Sequence, residues 1–209
     1  GGMMRSEPDR PARQGLKDRL LSAFDRLRSP ESRAADLYPS LDPEQIKALV
    51  RSLGDDVDGG LARRKTEYKT LKDQLKSWIT QSSTSSTPEP TKRWAEQVAK
   101  EIKRCWRQQT GTTLKLQPGN GTLPALNADF SHVRTLDLND ITWSDTADTF
   151  LTGFSRLERL TVTGSTLDKL PAAVAEMSNL STLNLSSNRI RLNEQTSGKL
   201  SALGKLEHI

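Results

Sequence analysis

Few side chains in this sequence could do covalent or acid–base chemistry. There is one cysteine, Cys105, and there are two histidines, His132 and His208. A nucleophilic thiol needs exposure, surroundings that hold the thiolate and usually a nearby base. Arg104 and Arg107 beside Cys105 would favour a thiolate, yet the residue belongs to the series Trp94, Val98, Ile102, Cys105 and Trp106. Offsets of 0, 4, 8, 11 and 12 make one continuous apolar face of a helix, so the spacing favours core packing over reactivity. His132 sits just before a strand-like triplet and His208 near the end of the sequence, so a Cys–His dyad would need a coincidence of folding. One cysteine forms no internal disulfide, and with two histidines it supplies too few ligands for a structural zinc site. The expectation is therefore no catalytic residue, no metal site and no cofactor.

Charge is the other source of chemistry. Lys92, Arg93, Lys100, Lys103, Arg104 and Arg107 oppose the apolar face of the 91–109 helix, with Glu96 and Glu101 among them. Such a face could hold nucleic-acid phosphates or an anionic membrane. The glutamates, and the lack of aromatics interleaved with the cations, favour a solvated face instead, and no nucleic-acid partner is expected. Trp94 and Trp106 could anchor a partner, but they share the stripe of Val98 and Ile102, which favours a structural cap made of Trp94, Val98, Ile102, Cys105 and Trp106.

These residues sit in a chain of 209 residues with 33% apolar and 27% charged side chains and a net charge of +5. No stretch approaches the roughly 20 apolar residues of a membrane span, so a chain without a transmembrane segment is expected. Residues 1–111 carry 22 basic and 16 acidic side chains, and residues 112–209 carry 9 and 10, which suggests two modules. Gly1–Met4 resembles a tag scar, and no secretory signal peptide is evident. Leu16, Leu20, Leu21, Phe24 and Leu27 form a helical stripe ended by Ser29-Pro30. Asp42-Pro43-Glu44-Gln45 reads as a capping box that opens a helix through Ile46, Leu49, Val50 and Leu53 and stops at Gly54. A longer helix follows, with Val57, Leu61, Tyr68, Leu71, Leu75, Trp78 and Ile79 on one face, although Gly59-Gly60 weakens its first turn. The three stripes are expected to meet in a small bundle over residues 5–80. Residues 81–90, rich in Ser, Thr and Pro, read as a flexible linker or mobile loop, and Thr91 as the cap of the helix in 91–111.

Beyond residue 112 the period changes. Val133-x-x-Leu136-x-Leu138, Leu157-x-x-Leu160-x-Val162 and Leu180-x-x-Leu183-x-Leu185 recur at intervals of 24 and 23 residues, with a shorter copy, Leu206-x-x-Ile209, 26 residues on. Leu114-x-Leu116 would open the series. An interval in the low twenties is the signature of leucine-rich repeats (LRRs). The expected fold class is α+β: an N-terminal helical region, a helical cap, and a short right-handed LRR solenoid over 112–209, truncated at its C-terminus. Asn188 is placed to hydrogen-bond the loop backbone, with Ser165 and Ile141 at its position in the earlier copies. The residues alternating with the leucines would face out of the sheet: Thr135, Asp137 and Asn139; Arg159, Thr161 and Thr163; Thr182, Asn184 and Ser186. This mostly neutral set contains no acid–base pair and is the candidate partner-binding face. A merely solvated sheet is the alternative.

The repeats, with Ile102–Arg107, Leu123–Leu126 and Ala128–Val133, resemble the LRR segment of dermonecrotic-toxin-like effectors of plant-associated bacteria. In these an LRR often precedes a NEL ubiquitin-ligase domain of the IpaH type. That family's catalytic Cys-x-Asp has no counterpart here, because Cys105 is followed by Trp106 and Arg107. The resemblance implies a non-catalytic recognition or autoregulatory module, delivered into a host cell by specialised secretion. Its partner would be a host protein or the ligase domain of its own full-length chain, with the ubiquitin machinery reached only through that further domain. A structural connector of a large toxin, or a basic-helix binder of anionic membrane or nucleic acid, are the alternatives.

Overall fold

The computed structural model describes residues 15–204 except 22, 25, 26, 111, 112, 192 and 202. The expectations for Gly1–Met4, Leu206, His208 and Ile209 lie outside the described residues. The chain divides between Lys65 and Thr66 into two compact units. That division falls inside the helix Val57–Gln81.

In the first unit, residues 15–21 are helical, as are Ala23, Phe24 and Leu27. Helix α1 (Pro30–Leu37) starts where the sequence reading ended its first helix: Ser29 accepts from Ser32 N–H at 3.1 Å as the N-cap, and Pro30 takes the first helical position. Helix α2 (Pro43–Ser52) has the complete capping box, with both Asp42–Gln45 hydrogen bonds at 2.8 Å, and Gly54 ends it at φ 71°. Helices α1 and α2 pack together, burying Ala34, Leu37, Tyr38 and Ile46. Buried Arg33 donates to Asp58, and Arg64 donates to the Tyr38 hydroxyl at 2.9 Å. Helix α3 (Val57–Gln81) keeps its glycine-bearing first turn because the Asp56 carboxylate accepts from Gly59 N–H at 3.0 Å. The first apolar stripe does not join a bundle core. Leu16, Leu20, Leu21, Phe24 and Leu27 are 52–83% exposed, since periodicity shows that a face is apolar and says nothing about what covers it.

In the second unit, helix α4 (Glu89–Arg107) returns along the later turns of α3. Tyr68 stacks on Trp106 with ring centres 5.0 Å apart, and Trp78 meets Trp94 edge-on at 5.9 Å. These contacts set the end of α3 beside the start of α4 and the middle of α3 beside the end of α4, so the two helices run antiparallel. The helix is capped at Pro88 with no side-chain bond, rather than at Thr91.

The strands are β1 (Thr113–Leu116), β2 (Thr135–Asn139), β3 (Arg159–Thr163) and β4 (Thr182–Asn184). They form one sheet in chain order, parallel throughout, with Leu114, Leu136, Leu160 and Leu183 in register. Leu114, Leu116, Leu136, Leu138, Leu160, Val162 and Leu183 point into the core and are at most 2% exposed. Parallel strands require crossovers, so helices and sheet are interleaved and the architecture is α/β. That corrects the α+β expectation.

An LRR solenoid is not what the structure shows either. A solenoid stacks like turns on like turns. Here the β1–β2 connection has no regular element, the β2–β3 connection contains helix α5 (Asp145–Leu151), and the β3–β4 connection contains a 3-10 turn (Ala172–Glu176). The even leucine spacing sets the strand pairing without making the return segments alike. Helix α6 (Glu194–Ser201) follows β4.

Candidate recognition face of the sheet

Because successive strand residues point to opposite faces, burying the leucines turns their neighbours outward. The register then arranges these neighbours in rows across the sheet. Thr113, Thr135, Arg159 and Thr182 form one row, and Lys115, Asp137, Thr161 and Asn184 form the next. Asn139 and Thr163 begin a third. All nine predicted positions are half-buried or exposed. Thr113 and Lys115 extend the face onto β1, and both are exposed. They were missed although Leu114-x-Leu116 was recognised as the opening strand, and the same alternation would have found them.

The face is held in place by its own hydrogen bonds. Asn139 donates to Asp137 at 2.8 Å and accepts from the Thr163 hydroxyl, while Asn184 accepts from Ser186 N–H at 3.0 Å and from its hydroxyl at 2.6 Å. Side chains fixed in this way lose little rotamer freedom when a partner arrives. Four strands about 4.8 Å apart and up to five residues long give a face of roughly 14 by 17 Å. That is well below the ~800 Å² that each partner contributes to a standard interface. A protein docked here therefore also covers the loops at the strand ends.

Beneath those ends, Asn188 ties neighbouring turns together. Its carbonyl oxygen accepts from Ser165 N–H (2.9 Å) and Leu167 N–H (3.3 Å), and its amide donates to the carbonyls of Val162 (2.6 Å), Leu185 (3.0 Å) and Ser186 (3.3 Å). Ser165, fully buried, does the same one turn earlier, accepting from Ile141 N–H at 3.1 Å and donating to the Thr163 carbonyl at 2.9 Å. The asparagine position is thus kept in function, if not in residue type.

The five residues of the α4 stripe, Trp94, Val98, Ile102, Cys105 and Trp106, are all buried, and α4 packs against β1. The Trp94 indole is held closely: a Cβ built on Gly119 or Gly121 would lie 2.2 or 2.3 Å from its ring, and its Nε1–H donates to the Gln117 carbonyl. Trp106 Nε1–H donates to Glu67 at 2.6 Å. Burial pushes the Cys105 thiol up to about 12, and the Glu101 carboxylate adds to this. His132 directs Nε2–H at the Cys105 backbone carbonyl, 2.8 Å away, which places that proton on Nε2. A reactive thiolate has the opposite surroundings.

On the other face of α4, Arg104 pairs with Glu101 and Lys92 with Glu89. Among the described residues no group of three or more His, Cys, Asp or Glu side chains could hold a metal ion. No described helix is long and apolar enough to cross a membrane. An open groove of about 510 Å³ between α3 and residues 122–125 has Asp73 as its one titratable lining residue. A second, of about 580 Å³, includes Glu67, Asp129 and Arg156. There Glu67 accepts from Trp106 and Asp129 accepts from Ser131 N–H at 2.8 Å. No protein-family model matches the chain, and no curated protein matches it.

Proposed function

We propose that this chain is a non-catalytic protein-recognition module whose docking surface is the outer face of the four-stranded sheet with its adjoining loops. The observation that carries the reading is the preordered row of short polar side chains on β2, β3 and β4, standing on a fully packed layer of leucines. Such a face offers donors and acceptors in fixed positions and contributes orientation and effective concentration without bond chemistry. In a bacterial effector of the kind the sequence resembles, the partner would be a host protein. Alternatively, the module would cover the effector's own ligase domain until a substrate displaces it.

The test places a photo-crosslinking phenylalanine analogue at Thr161, at the centre of the face, and another at Lys100 on α4 as a control. A protein captured at Thr161 and absent at Lys100 is then purified, and its affinity measured against Arg159→Glu and Asp137→Lys variants. Each is expected to weaken binding by at least about tenfold, as loss of a central contact does. Unchanged affinity in both would rule out the face.

A further inference from the structure

A double row of cations runs along the seam between α3 and α4. Lys69, Lys72 and Lys76 stand on α3 and Lys100, Lys103 and Arg107 on α4, each set spaced i, i+3 and i+7, so each lines one side of its helix. The rows meet at one ring. Lys72 Nζ lies 4.9 Å and the Arg107 guanidinium carbon 5.2 Å from the centre of Tyr68, which is itself stacked on Trp106. Because the helices run antiparallel, the rows continue side by side from that ring, one toward Lys76 and the other toward Lys100. Lys69, Lys72, Lys76 and Lys100 are exposed, and Lys103 and Arg107 half-buried.

Among the described residues, Lys69, Lys72, Lys76, Lys100 and Lys103 make no ion pair. Glu101 pairs with Arg104 at 3.2 Å, and Glu67 accepts from Trp106 Nε1–H. The acids that border the rows are Glu96, one turn before Lys100, and Asp73, about 100° round α3 from Lys72. Six cations against two carboxylates leave a positive surface. Like charges set together on a helix surface repel, and the cation–π contacts with Tyr68 hold Lys72 and Arg107 in place despite this. On the sequence, α4 alone reads as a solvated face; the structure adds the α3 row and the ring between them.

We infer that the α3–α4 seam binds the phosphate backbone of a double-stranded nucleic acid, independently of base sequence. The composition of the seam decides between occupants. Lysine is depleted at the cores of protein–protein interfaces, which are anchored by aromatic and apolar groups, and five of these six cations are lysines. A helix held at a bilayer surface needs an apolar face in the lipid. The exposed large apolar side chains among the described residues, Leu16, Leu20, Leu21, Phe24 and Leu27, are on neither α3 nor α4. Protein–nucleic acid interfaces are by contrast polar and strongly positive. The spacing agrees. Seven residues of helix advance about 10.5 Å, the rise of about three phosphates of one strand at roughly 3.4 Å each, so the three cations of a row meet three phosphates. Tyr68 is already covered by Trp106, Lys72 and Arg107 and gives no platform for an unpaired base, which favours a duplex over a single strand.

The experiment is fluorescence anisotropy of a labelled duplex DNA of about 20 base pairs, titrated with the full chain over a series of salt concentrations. Binding should weaken steeply with salt, log K falling against log[salt] with a slope of about −0.9 per phosphate contact, or about −5 for the whole seam. Lys69→Ala with Lys72→Ala, and separately Lys100→Ala with Lys103→Ala, should each flatten the slope by about 2 and lower affinity at least about tenfold near 0.1 M salt. Lys115→Ala with Arg159→Ala removes the same charge from the sheet face and should change affinity less than about twofold, since distant charges are screened. Alanine suits a helix, so far-UV circular dichroism should report wild-type helix content in the α3 and α4 variants. Failure of the wild-type chain to bind the duplex at low salt would overturn the inference, and so would an equal loss in the Lys115→Ala/Arg159→Ala variant. Tighter binding to phosphatidylserine vesicles or to polyglutamate than to the duplex, at matched ionic strength, would also overturn it and assign the seam to a membrane or an acidic protein.

Discussion

Replacing Asn188 by alanine removes five hydrogen bonds at once, and their partners set the size of the effect. Val162, Ser165 and Leu167 are at most 1% exposed, whereas Ser186 is exposed and Leu185 half-buried. Groups near solvent regain partners from water, but the Val162 carbonyl and the Ser165 and Leu167 amides do not. Leaving a buried backbone group unsatisfied costs about 1–3 kcal/mol. Three such groups, allowing for relaxation, give a loss of about 3 kcal/mol, a large share of the 5–15 kcal/mol that holds a domain together. Asn188→Asp should do no better, because it keeps the acceptor for Ser165 and Leu167 but sets a carboxylate against three carbonyls.

The assay is equilibrium urea unfolding followed by tryptophan fluorescence. All four tryptophans, Trp78, Trp94, Trp106 and Trp143, lie in the Thr66–Ile209 unit, so the signal reports that unit. Asn184→Ala on the exposed face is the control and should change stability by less than about 0.5 kcal/mol. If Asn188→Ala unfolds within about 0.5 kcal/mol of wild type, Asn188 does not hold the turns together and the reasoning is wrong.

Further consequences concern α4, the buried thiol and the first unit. Trp106→Ala should destabilise by about 3–5 kcal/mol through the lost ring, measured by the same urea transition. Gly121→Ala should cost about 1–3 kcal/mol because its methyl would enter the Trp94 ring, and wild-type stability in that variant would contradict the close approach. Cys105 should resist iodoacetamide in the folded chain at pH 8 and react once the chain unfolds. Burial holds its thiol well above the ordinary thiol value when folded, so folding favours the protonated form. That contribution is intact below pH 9 and is lost as the pH climbs toward about 12, and a Cys105→Ala variant should show a flatter alkaline decline in stability. Asp42→Ala should lower the stability of α2 by about 1 kcal/mol, followed by far-UV circular dichroism.

Much of the sheet was legible because a period of two with buried leucines specifies both register and face. The triplets located β2, β3 and β4 and the outward residues between the leucines, and Asn188 declared its role by being a side chain with both donor and acceptor beside a turn. The return segments were not legible. Residues 145–151 form a helix of only seven residues, too short for the helical period to emerge, and so the connections looked more uniform than they are. Helix α1 was missed for a different reason. Ser29-Pro30-Glu31 has the same order of N-cap, proline and acid as Asp42-Pro43-Glu44, but it was read as the end of the preceding stripe. The exposure of Leu16, Leu20, Leu21, Phe24 and Leu27 depends on tertiary partners, which a sequence period does not encode.

The central claim, recognition through the sheet, is tested most directly by filling the centre of the face. Thr161 lies between Asp137 and Asn184 in the second row, and an indole there would stand above the neighbouring side chains without touching the leucine layer beneath. Isothermal titration of a partner captured at the face should show Thr161→Trp losing binding by at least about tenfold while its urea midpoint stays at the wild-type value. Full-strength binding by a folded Thr161→Trp chain would contradict the account.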